Sequence, residues 1–167
     1  MIWGCITPHG VGKMVRILCK IDSKKYTYVL EQGLFSTIDT YTLTLKNTTL
    51  KQDNAPIHFS KYTKEWMRVN KVKFLDFPRC SPDLNPIEIL WEILDQKLRK
   101  VVDKPQTKDQ LWNILEREWY SISKDIVRKL YTSIPERIDA VHKNKGGYTK
   151  YWVRFLIFRN KKIIYLI

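Results

Sequence analysis

Two acidic residues stand where a chain usually changes direction. Asp53 lies in KQDNAPIH, residues 51–58, and Glu88 closes SPDLNPIE, residues 81–88, with thirty-four residues between them. Each has an ordinary structural reading. Asp and Asn initiate turns by bonding their side chains to nearby backbone, which suits Asp53 followed by Asn54. Glu88 is the third helical position after Asn85, where a glutamate stabilises a helix by capping and through the helix dipole. Together they also have a chemical reading. One carboxylate at a strand end, where open α/β sheets place their ligands, and one in the first turn of a nearby helix could share a divalent cation. Magnesium takes a few carboxylate oxygens and keeps several waters. Two such ions about 3.5–4 Å apart serve phosphodiester chemistry, activating a nucleophile and stabilising the leaving oxygen.

The elements that must position these acids follow from the apolar pattern. MIWGCI reads as a buried strand, Lys13–Cys19 as a second, and Thr7–Gly12 as the hairpin between them. Ser23 is expected to cap a helix with the stripe Tyr26, Leu30, Leu34, Ile38, Tyr41 and Leu45. Thr48–Asp53 is a third strand, stopped by Asn54-Ala55-Pro56. A helix follows near Ser60–Val69, then a strand over Val72–Phe77 closed by Pro78. Asn85 is expected as an N-cap with Pro86 at the first helical position, ahead of the stripe Ile87, Leu90, Trp91, Leu94, Leu98 and Val101. Thr107–Gln110 and Ser133–Glu136 have the form of capping boxes, with a further helix near Ser123–Tyr131. Strands mixed with helices, then helices alone, predict a mixed α/β sheet with a helical second half. The run after Tyr151 reads as a hairpin or a pair of edge strands around Arg159-Asn160-Lys161-Lys162.

Composition bounds the partners. The 167 residues carry a net charge of +13, which favours a polyanion. The charge is uneven: residues 151–167 hold four basic residues and no acidic one. Cys5, Cys19 and Cys80 are an odd number with no close pair, which supports neither a disulfide framework nor a zinc site and points to a reducing compartment. MIWGCITPHG has no basic start and no long apolar run, so no leader is expected, and Asn47 in its sequon is expected to stay unmodified. No apolar run approaches the ~18 residues of a spanning helix.

Other candidate chemistry is weaker. HGVGK, residues 9–13, lacks the distant glycine and the Ser or Thr of a phosphate loop, with Thr7 and Met14 in those places, and reads as a turn. Asp95 and Arg99 form a plain i, i+4 pair, and Glu92 is at best a neighbour of the site. Trp91, Trp112 and Trp119 fall on apolar stripes and are expected in the core.

The stretches MIWGCI, QDNAPIH, FPRCSPDLNPIEILWE, SIPERIDAV and GGYTKY resemble the catalytic domain of Tc/mariner-type DDE transposases, of the ribonuclease H-like, retroviral integrase superfamily. The resemblance runs from residue 1 to about 151. It implies a ribonuclease H-like α/β fold and an Asp, Asp, Glu triad in which Asp53 matches the second Asp and Glu88 the Glu. Both would hold Mg2+ or Mn2+, with Asn54, His58, Asn85 and Glu92 as candidate neighbours. The first Asp of the family lies on a strand preceding the one that begins MIWGCI. Asp22 and Asp39 fall on a strand-to-helix link and a helix and do not replace it.

The expectation is therefore a truncated domain over residues 1–150, without the first strand or the family's N-terminal DNA-binding region, and a basic, apolar tail over 151–167. The implied activity is metal-dependent cleavage and strand transfer of DNA in cut-and-paste transposition, with the chain inactive alone. The alternative is a non-catalytic DNA-binding or dimerisation remnant. Implied partners are transposon ends, target DNA, and a second copy or a full-length transposase, in the nucleus and without a membrane.

Overall fold

The opening apolar run needs a partner for its backbone groups and finds it in the segment that follows. The computed structural model describes residues 1–75, 81–151 and 164–166. In it β1 (Ile2–Thr7) pairs antiparallel with β2 (Gly10–Arg16). The turn between them is tighter than the sequence suggested. Gly10 adopts φ 146°, which a side chain would resist, and re-enters the ladder opposite Thr7. The second strand therefore begins at Gly10 rather than Lys13 and ends at Arg16 rather than Cys19.

The next helix is capped by Asp22, not Ser23: the Asp22 carboxylate accepts from the Lys25 amide at 2.8 Å. Helix α1 (Ser23–Leu30) continues through a π-helical turn, Glu31–Phe35, into α2 (Ser36–Thr40). Gly33 in that turn lies against the Trp3 indole so closely that a Cβ would overlap the ring. Tyr41 and Leu45, expected on the same stripe, fall beyond the helix. Thr42 turns the chain at φ 52°, Tyr41 donates its hydroxyl to the Val11 carbonyl, and Leu45 opens a short 3-10 turn. The π turn and this break explain why one unbroken stripe was the wrong reading.

Strand β3 (Thr49–Gln52) pairs in parallel with β4 (Lys73–Leu75). On its other edge it pairs antiparallel with β5 (Ile164–Leu166), which also runs beside β1. One strand of the expected tail pair is thus an edge strand on β3. The end of the predicted strand at Asp76–Phe77, Pro78, and the rest of the tail beyond Tyr151 lie outside the described residues. Helix α3 (Lys61–Val69) is capped by the Ser60 hydroxyl. Trp3, Cys5, Tyr26, Leu30, Leu34, Leu50 and Met67 are among the side chains buried between these elements.

The chain divides into two compact units, Met1–Arg79 with Asn160–Ile167, and Cys80–Arg159. The second unit is helical as expected: α4 (Ile87–Lys100), α5 (Lys108–Tyr120), α6 (Lys124–Thr132) and α7 (Ile134–Lys143). Trp91 and Trp119 are fully buried and stack with centroids 5.1 Å apart, while Trp112 is half-buried. Lys97 on α4 reaches Glu118 on α5 at 2.8 Å. The capping box at Thr107–Gln110 forms with both of its bonds, and the Ser123 hydroxyl caps α6.

The box read at Ser133–Glu136 does not form. Ser133 ends α6 as well as preceding α7, and its backbone stays helical at φ −79°, ψ −7°. Its hydroxyl donates to Leu130 O and accepts from Arg137 Nε, so it is not available to cap.

Candidate functional site

Asp53 follows directly on β3. Its carboxylate does what the ordinary reading predicted: Oδ1 accepts from the Ala55 amide at 3.1 Å, closing an Asx turn. A second donor holds the same oxygen. His58 Nδ1 lies 2.7 Å from Asp53 Oδ1 and 2.9 Å from the Asp53 carbonyl. Both atoms facing Nδ1 are acceptors, so Nδ1 carries a proton. The Asp53 side chain is 40% exposed, so a carboxylate pinned through one oxygen still reaches solvent.

The His58 ring is itself held. It is buried, packs 4.3 Å from the Tyr26 ring, and has no hydrogen-bond partner for Nε2 among the described residues. Tyr26 donates its hydroxyl to Gln52 Oε1 at 2.6 Å, and Gln52 Nε2 approaches the His58 carbonyl at 3.5 Å. Burial first, and the Asp53 charge second, hold the Tyr26 phenol well above its ordinary pKa, so it stays a donor. Thr63 ties the Ile57 carbonyl to the start of α3. The loop that carries Asp53 is fixed at both ends, which is what a metal-ligating carboxylate needs. Asn54 sits half-buried beside it.

Glu88 lies in the first turn of α4 and is only 5% exposed. The expected cap is absent. Helix α4 starts without a side-chain capping bond, and the Glu88 amide bonds instead to the Asn85 carbonyl at 3.1 Å. The Asn85 amide nitrogen is turned to Glu88 Oε1 at 3.3 Å, and Asn85 Oδ1 has no hydrogen-bond partner among the described residues. A forgone asparagine cap costs about 1 kcal/mol. A buried acceptor left unmade costs about 1–3 kcal/mol more.

The segment before Glu88 is clamped by residues to which the sequence assigned no role. Asp83 is buried, and its Oδ2 accepts from the Thr149 hydroxyl at 2.7 Å and the Thr149 amide at 3.1 Å. Arg137, 2% exposed, donates from Nη1 to the Asp83 carbonyl at 2.9 Å and from Nε to Ser133 Oγ at 2.8 Å. Its guanidinium lies over the Tyr151 ring, 4.5 Å from the centroid. The available signal was an arginine on the inward stripe Ile134, Arg137, Val141 of α7. Glu92 is half-buried one turn beyond Glu88, with Gln96 Nε2 at 3.5 Å, and Asp95 pairs with Arg99 at 3.0 Å as expected.

Asp53 belongs to the first compact unit and Glu88 to the second. Among the described residues no group of three or more His, Cys, Asp or Glu side chains is placed to hold a metal ion. No helix among them is long and apolar enough to cross a membrane.

Comparison with known proteins bears on the same segments. The family described as DDE superfamily endonuclease matches residues 16–112, a span that contains both acids. The chain is 35% identical over 153 residues to the transposable element Tc1 transposase of Caenorhabditis elegans, covering 90% of this chain and 54% of that protein. It is 36% identical over 153 residues to the Tcb1 transposase of Caenorhabditis briggsae, with the same coverage. The chain thus spans about half the length of the curated relatives it matches. Among solved structures it resembles the Mos1 transposase catalytic domain with raltegravir and Mg, at TM-score 0.73 and 15% identity, over 89% of this chain and 85% of that one. It also resembles the Mos1 mariner paired-end complex with Mn, at TM-score 0.75 and 16% identity, over 87% of this chain and 43% of that one. These likenesses establish the ribonuclease H-like fold.

Proposed function

The chain belongs to the DDE superfamily endonucleases, as a catalytic domain of the Tc/mariner transposase type, and from that membership we propose that it acts in cut-and-paste DNA transposition. The observation that carries the proposal is the family match over residues 16–112, with Asp53 at a strand end and Glu88 in a first helical turn. Asp53 and Glu88 are assigned as the second and third acids of the family's triad, holding Mg2+ or Mn2+. Hard carboxylate oxygens suit either ion. Bound there, the metal supplies Lewis acidity at a phosphodiester and eases deprotonation of the attacking group.

The chain's own part is orientation. His58 and the Ala55 amide fix one oxygen of Asp53, and Asn85 steers Glu88. Asn54 and Glu92 are assigned as flanking polar groups. The +13 charge suits the phosphate backbone of transposon ends and target DNA, and the nucleus is assigned as the compartment that holds that substrate. A second copy or a longer transposase is the protein partner. Two carboxylates set neither the number nor the spacing of two ions, so the 167 residues alone are expected not to nick DNA.

The test exchanges the 153 matched residues of the Tc1 transposase for this chain and measures excision of a plasmid-borne element. Excision that requires Mg2+ or Mn2+, is lost with Asp53→Ala or Glu88→Ala, and persists with Asp95→Ala is expected. A folded chimera that binds element ends without excising them would replace the proposal with that of a DNA-binding remnant.

A further inference from the structure

The asparagine ahead of α4 gives up the task its position offers. An Asn one residue before a helical proline would ordinarily cap the first turn through Oδ1. Here Asn85 is 6% exposed, its amide nitrogen goes to Glu88 Oε1, and its Oδ1 is a buried acceptor without a donor among the described residues. Reversing the amide does not remove the anomaly. It would set Oδ1 against a carboxylate oxygen and strand the NH2 group instead. The Glu88 amide is met by the Asn85 carbonyl. The segment is also fixed from behind, where Arg137 and Thr149 hold Asp83. A rigid, buried amide that orients one carboxylate while keeping an unmet acceptor is built for a donor that arrives from outside. Departures from local rules of this kind gather at functional sites.

We propose that Asn85 is a positioning residue for Glu88 whose Oδ1 accepts a hydrogen bond from a water in the hydration shell of a divalent cation at that carboxylate. The proposal rests on Glu88 as a metal ligand and adds a group that selects a hydrated ion. Magnesium and manganese retain several waters when bound by one or two carboxylates, and each water is a donor. Groups that orient a ligand commonly change metal affinity by about 10–100-fold when removed.

The experiment follows amide resonances of the 167-residue chain during titration with Mn2+, whose paramagnetism broadens nearby signals even when binding is weak. Urea unfolding without metal is measured on the same proteins. In the wild type, broadening centred on the amides around Glu88 is expected, and Glu88→Gln abolishes it. Asn85→Ala and Asn85→Ser are each expected to raise the Mn2+ midpoint by about tenfold or more. Their urea midpoints without metal are expected to move little, because the lost bond to Glu88 Oε1 is offset by removal of an unmet acceptor. The serine variant retains a strong capping residue, which keeps the first turn folded and separates capping from metal binding.

Broadening that survives Glu88→Gln, or none in the wild type, would overturn the metal reading of Glu88 and this proposal with it. Broadening lost in Glu88→Gln but unchanged in both Asn85 variants would overturn the Asn85 proposal alone. A urea midpoint lowered by alanine and restored by serine would show an ordinary helix cap, and would overturn it too.

Discussion

Replacing Arg137 with methionine keeps the length of the side chain and removes its donors. The buried Asp83 carbonyl then loses its bond from Nη1, at a cost of about 1.5–3 kcal/mol for a charge-assisted bond to a buried group. The bond to Ser133 Oγ and the stacking on Tyr151 are less buried and add about 1 kcal/mol together. Part is returned, since a guanidinium no longer has to be desolvated. The net expectation is a loss of about 3 kcal/mol in the helical unit. With a urea slope of about 1–3 kcal/mol/M, the midpoint of the 222 nm transition falls by at least about 1 M. Arg137→Lys keeps the charge but cannot serve Asp83, Ser133 and the Tyr151 ring at once, so it falls between the two. Thr149→Val removes the hydroxyl from Asp83 Oδ2 at 2.7 Å. Because both residues act on Asp83, the double variant should lose less than the sum of the two single losses. A midpoint change below about 0.3 M for Arg137→Met, against the ~1 M drop that the urea slope implies, would refute the clamp.

Three further outcomes are expected. Burial drives the Cys5 thiol up to about 12 from 9.0, only partly offset by the Thr37 hydroxyl and the Lys13 amide. The raised value means that stability is fully present below pH 9 and is lost as pH rises toward 12, by about 1.4 kcal/mol per unit. Cys5→Ala should therefore flatten the slope of urea midpoint against pH in that window, and an unchanged slope would contradict the burial. Gly33→Ala should cost about 1–3 kcal/mol and alter the near-ultraviolet circular dichroism of Trp3, since the added methyl meets the indole ring. DNA binding should weaken with salt at a log–log slope near −0.9 per neutralised phosphate, and affinity that ignores salt would show that the +13 charge does not act on the backbone.

Much of the positioning scaffold was legible because it is local. The helix after Pro86, the box at Thr107 and the helix from Ser123 are marked by residues close together in the sequence. The errors share a different cause. Ser133 has a capping sequence, but Arg137 and the last turn of α6 draw its hydroxyl away. Asn85 has one too, and Glu88 draws its amide. Tyr41 and Leu45 continue a helical stripe that the π turn at Gly33 and the bend at Thr42 interrupt. Asp53 shows that a turn does not exclude a metal ligand, for the Asx bond holds the same carboxylate that reaches solvent. His58, Tyr26 and Gln52 come together through side-chain bonds between elements far apart in sequence, which no spacing announces. Arg137 and Thr149 reach Asp83 across 54 and 66 positions in the same way.

If Asp53 and Glu88 hold divalent cations as proposed, the most direct measurement loads the 167-residue chain with Fe2+ in place of Mg2+. With ascorbate and peroxide, the bound iron cleaves backbone beside its ligands, and the fragments are mapped by mass spectrometry. Cuts confined to the segments around Asp53 and around Glu88, suppressed by excess Mg2+, are predicted. Asp53→Ala and Glu88→Ala should each remove the cuts, while Asp95→Ala leaves them. Cuts that fall elsewhere, or that persist in both alanine variants, would contradict the assignment.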